Sequence, residues 1–189
     1  MRKILKILYP CEYVESVFSI DYEKIYDKGY KALIFDIDNT LVPHGKDATP
    51  EIEELIKQIQ QIGFKVLFLS NNTEDRVKSF MKNMDCCLYI NDAEKPKKEG
   101  YLKAIELLKE DKNNIIYIGD QLFTDIYGAN KCGIDSILVK YIGYYKNDKK
   151  GIKRNIEKIL LKKYNNNKRY KNRLGNVEKL EAIKNVWEK

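Results

Sequence analysis

Four short apolar runs divide the chain: Ala32–Phe35, Val66–Leu69, Ile115–Ile118 and Ser136–Val139. Leu88–Ile90 is a weaker fifth. Continuous runs of this length, without polar alternation, predict strands buried on both faces of a parallel sheet. The stretches between them carry a helical period instead. Residues 50–62 place Ile52, Leu55, Ile56 and Ile59 on one face, with Thr49 as N-cap, Pro50 in the first turn and Gly63 as the stop. Residues 73–83 align Val77, Phe80 and Met81. Residues 97–109 align Tyr101, Leu102, Ile105 and Leu108. A fourth helix is predicted over 123–131, before Cys132-Gly133. Strand and helix alternate, so right-handed crossovers give an open, doubly wound sheet. The expected fold is α/β: a three-layer, Rossmann-like parallel sheet with helices on both faces.

In such sheets ligands bind beyond the carboxyl ends of the strands. The first run ends in Asp36-Ile37-Asp38-Asn39-Thr40, the second in Ser70-Asn71-Asn72. The weaker run Leu88–Ile90 is soon followed by Lys95-Pro96, and Ile115–Ile118 by Gly119-Asp120, with Thr124 and Asp125 just beyond. Parallel strands bring all four groups to one edge. Each alone could be a turn or a helix cap. Their convergence reads as a site. Asp36 and Asp38 are two residues apart, so an extended chain projects them to the same side. One carboxylate can attack while its neighbour handles protons. Hard carboxylate oxygens, with few histidines, suit Mg²⁺ rather than zinc. Ser70 and nearby N–H groups can hold anionic oxygens, and Lys95 can neutralise a transferring group. Phosphoryl transfer has these needs.

These strings resemble the haloacid dehalogenase (HAD) superfamily of aspartate-nucleophile phosphatases. D-I-D-N-T-L-V at 36–42 matches its D-x-D-x-T signature; Ser70, Lys95-Pro96 and G-D-Q-L-F-T-D at 119–125 match its later motifs. More narrowly, D-A-T-P-E, F-L-S-N-N, the G-D-Q-L-F-T-D-I-Y-G-A-N string and the opening Tyr13–Phe18 look like the YqeG-type branch of subfamily IIIA. The likeness covers roughly residues 9–160. It implies that Asp36 attacks phosphorus and forms an aspartyl-phosphate. Asp38 would protonate the leaving alkoxide and then activate water. The Asp36 side chain, the Asp38 carbonyl and Asp120 would hold Mg²⁺, with Asp125 a second carboxylate near it. Ser70, the Asn71 amide, Lys95 and Thr40 would serve the phosphate.

Many members of this superfamily close a cap domain over a small substrate. Residues 41–69 and 71–94 leave no room for one here. An uncapped site is open to bulk, and suits a phosphate on a lipid headgroup, a protein or a nucleic-acid end. Related members of the branch are phosphatidylglycerophosphatases. The resemblance therefore implies hydrolysis of phosphatidylglycerophosphate to phosphatidylglycerol. A phosphoprotein, a nucleic-acid end or a soluble metabolite is the alternative substrate. A non-catalytic HAD-fold binding module is the competing class. Such a module would have lost Asp36 or Asp38, and this sequence keeps both.

Charge sharpens the substrate expectation. The 189 residues carry a net +7, distributed unevenly. Residues 146–189 hold 15 Lys/Arg against 5 Asp/Glu, and residues 1–145 hold 20 against 23. The expected organisation is an N-terminal segment, 1–29, packed on a core of 30–145, then a basic helical arm, 146–189, with disorder the alternative for part of it. Residues 151–164 place Ile152, Ile156, Ile159, Leu160 and Tyr164 on one face, bordered by Lys153, Arg154, Lys158, Lys162 and Lys163. A basic amphipathic helix suits an anionic lipid surface. Packing of its apolar face on the domain is the competing reading. It also competes for residues 2–9, where Arg2, Lys3 and Lys6 mix with Ile4, Leu5, Ile7, Leu8 and Tyr9.

Asn165–Asn167 should break that helix. Val177, Leu180, Ile183 and Trp187 then recur at helical spacing. Tyr164, Lys168, Arg169, Tyr170 and Lys171 alternate aromatic and basic residues, but no groove or repeat supports nucleic-acid binding. No apolar stretch approaches the ~18 residues of a membrane span. The opening MRKILKILYP has no small-residue cleavage site, which argues against a secretory signal. Four cysteines without a C-x-x-C pair read as free thiols in a reducing compartment. Adjacent Cys86 and Cys87 read as buried neighbours of a strand, not a redox pair. The expected location is cytoplasmic, peripheral on the inner face of the membrane. His44, the one histidine, reads as a surface-loop residue.

Overall fold

The computed structural model describes residues 7–84, 87–143 and 152–179. Six strands form one sheet: β1 (Glu12–Val14), β2 (Ala32–Phe35), β3 (Lys65–Leu69), β4 (Leu88–Ile90), β5 (Ile115–Gly119) and β6 (Asp135–Val139). Their spatial order is β1-β6-β5-β2-β3-β4, and every pairing is parallel. The helices are α1 (Tyr22–Asp27), α2 (Pro50–Ile62), α3 (Glu74–Phe80), α4 (Lys98–Leu108), α5 (Tyr127–Cys132) and α6 (Ile152–Asn165). The expected α/β, Rossmann-like architecture is present. All five predicted strands form, and the unbroken apolar runs have a simple cause. In β2, Leu33 and Phe35 enter one core while Ala32 and Ile34 enter the other. Val66 and Phe68 separate from Leu67 and Leu69 in the same way, as do Ile116 and Ile118 from Ile115 and Tyr117. With both faces buried, neither register of the pleat can be polar.

α2 obeys its sequence signals. The Thr49 hydroxyl accepts from the Ile52 amide at 3.4 Å, and Gly63 ends the helix at φ 117°, where a side chain would be strained. In α4, Tyr101, Ala104 and Leu108 form the buried face. Leu102, expected on that face, is exposed instead. The predicted helix over 123–131 is also corrected. A π-helical turn, Leu122–Ile126, precedes α5, with the Ile126 amide donating to the Gln121 carbonyl five residues back at 3.1 Å. The chain turns widely there because Asp125 has partners on the sheet side, described below.

β1 and α1 were not legible as elements. A three-residue strand carries too little pattern, and β1 owes its form to β6 and to the C-terminal segment. The Arg173 amide donates to the Cys11 carbonyl at 3.0 Å. Buried Glu12 accepts the Leu174 and Asn176 amides at 2.9 and 3.1 Å. The sheet edge is thus covered rather than left open. Leu160, Tyr164, Leu174 and Val177 are buried, and Tyr9 packs against Tyr164 and Tyr170 with centroids 5.7 and 5.4 Å apart. The aromatic residues of the basic stretch therefore face Tyr9. α6 ends at Asn165, as the asparagine run predicts. Val177, predicted helical, is extended; its carbonyl accepts the Asp21 amide, and Glu178 bridges Ile20. Arg2, Lys3, Ile4, Leu5, Lys6, Cys86, Leu180, Ile183 and Trp187 lie outside the described residues, as do the side chains of Ile152, Lys153 and Arg154.

Leu174 packs inside the main core cluster. Leu174→Ala should lower stability by about 2–3 kcal/mol in urea unfolding, the cost of emptying a buried aliphatic site. A loss under about 0.5 kcal/mol would mean that this segment is peripheral to folding.

Candidate active site

The chain winds outward in two directions from the β2–β5 pair. Their carboxyl ends are therefore the switch point at which a crevice opens. β2 delivers Asp36 there, β3 delivers Ser70, β5 delivers Asp120, and the loop after β4 delivers Lys95. Asp36, Ser70, Lys95, Asp120 and Asp125 are all buried. For a lysine and three carboxylates this is costly unless they compensate one another.

They do so through Lys95. Its ammonium donates to Asp36 Oδ1 at 2.5 Å, to Asp125 Oδ1 at 2.8 Å and to the Tyr117 hydroxyl at 2.9 Å. Thr40 donates its hydroxyl to Asp36 Oδ2 at 2.8 Å. Burial pushes the Asp36 carboxyl up, to about 6; Lys95 opposes this and Asp125 adds to it. Burial alone would lower Lys95, but Asp125 and Asp36 outweigh it and raise the ammonium above its ordinary value. The loop presenting Lys95 holds Asp92 and Glu94 at positive φ, 44° and 50°, an uncommon backbone for side-chain-bearing residues. The Asn71 side chain braces it, accepting the Lys95 amide at 2.6 Å and donating to the Lys95 carbonyl at 3.2 Å.

Asp125 reaches the site because of the π-helical turn. Its Oδ2 accepts the Gln121 amide at 3.0 Å while Oδ1 meets Lys95 and Tyr117. Tyr101 donates its hydroxyl to the Thr124 carbonyl at 2.9 Å, satisfying a carbonyl in that wide turn. Gly119 is required: a Cβ there would stand 2.7 Å from Asp125 Cβ and Cγ. Oxygens of Asp36, Asp120 and Asp125 lie within 4.8 Å of one another. An all-carboxylate donor set of this size fits a hard divalent cation. The Asp38 carboxylate is not in that group, so only its main-chain carbonyl could join it.

Asp38 turns elsewhere. Asn39, at φ 66°, follows it in a tight turn where the Asn39 amide donates to the Val42 carbonyl at 2.6 Å. The Asp38 carboxylate accepts Gly45 N–H at 3.0 Å, Asn72 Nδ2 at 2.6 Å and Arg76 Nη2 at 2.9 Å. Burial would raise Asp38, but these three donors outweigh it and hold the group below the usual carboxylate range. The expectation that Asp36 and Asp38 share one side is thus refined: they have separate sets of partners. Asn72 joins the two halves, since Nδ2 also donates to Ser70 Oγ at 2.9 Å. Asn71 uses its side chain on Lys95, so a role on a phosphoryl oxygen falls to its main-chain N–H.

Sequence reasoning missed Asn72, Arg76 and Tyr117. Asn72 and Arg76 had a usable signal: Asn72 closely follows a strand end, and Arg76 lies in the first turn of the helix that starts there. Tyr117 had none, because a tyrosine inside an apolar strand reads as core. His44 is 74% exposed in its side chain, as a loop residue should be, yet its Nδ1 stands 3.4 Å from Asp38 Oδ2. Cys11 and Cys132 are free thiols; Cys87 is half-buried against the core.

Removing Lys95 leaves Asp36 and Asp125 facing each other without their shared cation. An acid raised by burial is ionised at a cost in the folded state, so the Asp36 contribution to stability falls as pH climbs from about 4 toward 6. Lys95→Met should deepen that fall and carry it above pH 6. In urea unfolding with a chelator present, the variant should trail the wild type by about 3–5 kcal/mol at pH 8. The deficit should be smaller at pH 5. An equal deficit at both would show that Lys95 does not neutralise these carboxylates.

Comparison with known proteins agrees with this arrangement. The haloacid dehalogenase-like hydrolase family profile matches residues 44–133. A protein named "Probable phosphatase YqeG", from Bacillus subtilis (strain 168), is 37% identical over 135 residues, covering 71% of this chain and 78% of its own. The crystal structure of an uncharacterized protein from Listeria monocytogenes serotype 4b superimposes with a TM-score of 0.51 at 23% identity. That superposition covers 61% of this chain and 84% of the other, and supports the fold alone. With an aspartate directly after β2, a lysine after β4 and acids after β5 at one sheet edge, the chain belongs to the haloacid dehalogenase-like hydrolases.

Proposed function

We propose that this protein is a Mg²⁺-dependent phosphatase that hydrolyses a phosphate monoester through an aspartyl-phosphate on Asp36. The observation that carries the reading is the bridge from Lys95 to Asp36 and Asp125, beside Ser70 and the Asn71 amide. A buried carboxylate held by an ammonium is oriented for in-line attack, and the same cation offsets charge on the group transferred. Asp36, the Asp38 carbonyl, Asp120 and Asp125 would hold the metal ion. Mg²⁺ there would neutralise phosphoryl oxygens. Asp38 delivers a proton to the leaving oxygen and later takes one from water. Ser70 and Asn71 N–H hold the phosphoryl oxygens between these groups.

The substrate we favour is phosphatidylglycerophosphate, met at the inner face of the membrane. Three observations support an anionic lipid. Among the described residues, only a loop and α2 separate β2 from β3, and only α3 with short turns lies between β3 and β4, so no cap covers the crevice. On α6, Glu157, Leu160 and Tyr164 are buried against the domain. Its other face exposes Ile156 and Ile159, 44% and 58% accessible, among exposed Lys158, Lys162 and Lys163. From the buried face, Glu157 Oε1 accepts the Leu122 amide at 2.9 Å, which puts α6 next to the turn carrying Asp125. No helix among the described residues is long and apolar enough to cross a membrane. Contact with a bilayer would therefore be peripheral, through a face that is both apolar and basic.

Phosphate release should be measured with Mg²⁺ on phosphatidylglycerophosphate in mixed micelles and on soluble phosphates, with Asp36→Asn as blank. The lipid should be preferred, EDTA should abolish turnover and Mg²⁺ should restore it. Activity retained by Asp36→Asn rejects the nucleophile; equal rates on all substrates reject the lipid. Membrane contact has its own test. Ile159→Glu with Lys162→Glu should cut flotation with anionic vesicles at low salt by about tenfold or more, each lysine near such a surface being worth about 1 kcal/mol. Unchanged flotation would remove α6 from the membrane.

A further inference from the structure

Arg76 lies at the third position of α3, facing the loop between β2 and α2. Nη2 donates to Asp38 Oδ1 at 2.9 Å and to the Lys46 carbonyl at 2.5 Å. Asp47 stands 3.7 Å from Nη1, and Ser79 of α3 donates to Asp47 at 2.7 Å. One guanidinium therefore ties α3, the 44–47 loop and Asp38 together. The tie is a poor one for stability. The Arg76 side chain is only 17% exposed, and among the described residues its buried Nε and Nη1 have no acceptor within hydrogen-bond distance, Asp47 Oδ1 standing 3.7 Å from Nη1. Desolvated N–H groups without acceptors cost free energy. A guanidinium kept there at such a cost is explained by what its satisfied end holds.

That end holds one oxygen of Asp38 and leaves the other to the site. Oδ1 takes Arg76 and Gly45 N–H. Oδ2 takes Asn72 Nδ2, which also reaches Ser70 Oγ, and so lies on the Ser70 side, with the exposed His44 Nδ1 3.4 Å away. We infer that Arg76 is a positioning residue for proton delivery: by pinning Oδ1 it points Oδ2 of Asp38 at the leaving-group oxygen. The inference rests on the phosphatase reading above, in which Asp38 serves that oxygen. Misplacing a catalytic group by about 1 Å can cost on the order of a hundredfold in rate. The cost falls where proton delivery is needed. A phosphate ester with a poor alkoxide leaving group needs it, whereas p-nitrophenyl phosphate, whose phenolate leaves readily, needs it little. Arg76 therefore sets which leaving groups the site can expel. Nη2 makes both bonds, and lysine, a strongly hydrated point charge on a flexible stem, does not hold a donor fixed at that place.

The test compares kcat/KM on glycerol 3-phosphate and on p-nitrophenyl phosphate, with Mg²⁺, for wild type, Arg76→Met and Arg76→Lys. This ratio reports phosphoryl transfer to Asp36 and omits hydrolysis of the aspartyl-phosphate, which is common to both esters and also uses Asp38. Both variants should lose about a hundredfold in kcat/KM on the alkyl ester and less than about tenfold on the aryl ester, within the usual reach of general acid catalysis. Combined with Asp38→Asn, the Arg76→Met loss on the alkyl ester should not add, because the two residues act as one unit. Equal losses on both esters, additive losses, or no loss would overturn the inference. If Arg76→Met does not fold, Arg76→Lys carries the same comparison. A wild type inactive on both esters and on phosphatidylglycerophosphate in mixed micelles would instead overturn the phosphatase reading, which keeps the two failures apart.

Discussion

The buried ammonium of Lys95 is the constraint around which the rest of this molecule is arranged. Asp36 and Asp125 come from different strand ends and would repel each other in a dry crevice. The cation between them makes their approach tolerable, and the approach in turn creates an acidic pocket with Asp120. Several unusual local features then follow. The lysine stands on a loop with two side-chain-bearing residues at positive φ. Asn71 clamps the main chain on both sides of it. Tyr117 gives up a purely apolar role in β5 to place its hydroxyl 2.9 Å from both Lys95 Nζ and Asp125 Oδ1. Burial raises that phenol far above its ordinary range, so it remains a neutral partner beside two carboxylates and a cation.

The site has two halves with opposite electrostatic character. Around Asp36 the environment is dry and crowded with carboxylates, and burial outweighs the cation. Around Asp38 three donors outweigh burial. Two aspartates two residues apart in sequence therefore experience different chemistry because the chain turns sharply after the second. Asn72 links the halves, donating to Asp38 and to Ser70. Separation of this kind lets one fold assign distinct roles to identical side chains.

Much of this was legible in the sequence, for reasons tied to burial. A strand covered on both faces must be apolar throughout, so β2, β3 and β5 declare themselves, and polar residues directly after them stand out. Asp36, Ser70, Asp120 and Asp125 were found that way. Arg76 and Asn72 were not, because their importance depends on where the chain after β3 points relative to Asp38, 38 and 34 residues earlier. β1 was invisible because its order comes from residues 173–177, far away in the chain. The periodicity of α6 was read correctly as amphipathic, yet the assigned face was wrong in part. Leu160 and Tyr164 are buried, whereas Ile156 and Ile159 point away, since buried Glu157 takes an inward position to meet the Leu122 amide. Hydropathy alone places a glutamate outside.

The wide turn at 122–126 differs from ordinary helix by a single inserted residue, and that residue sets the phase of everything around it. Successive residues of an α-helix advance by about 100°. Deleting one residue between Gln121 and Asp125 would restore regular winding, and would swing the carboxylate about a quarter-turn out of the crevice. Lys95 would then lose one of its two anions, Gly119 would lose the neighbour that forbids a side chain there, and Tyr117 would lose one of its polar partners. The insertion is invisible to composition and nearly invisible to pattern, yet a change in count, without any change in chemistry, would dismantle the acidic cluster.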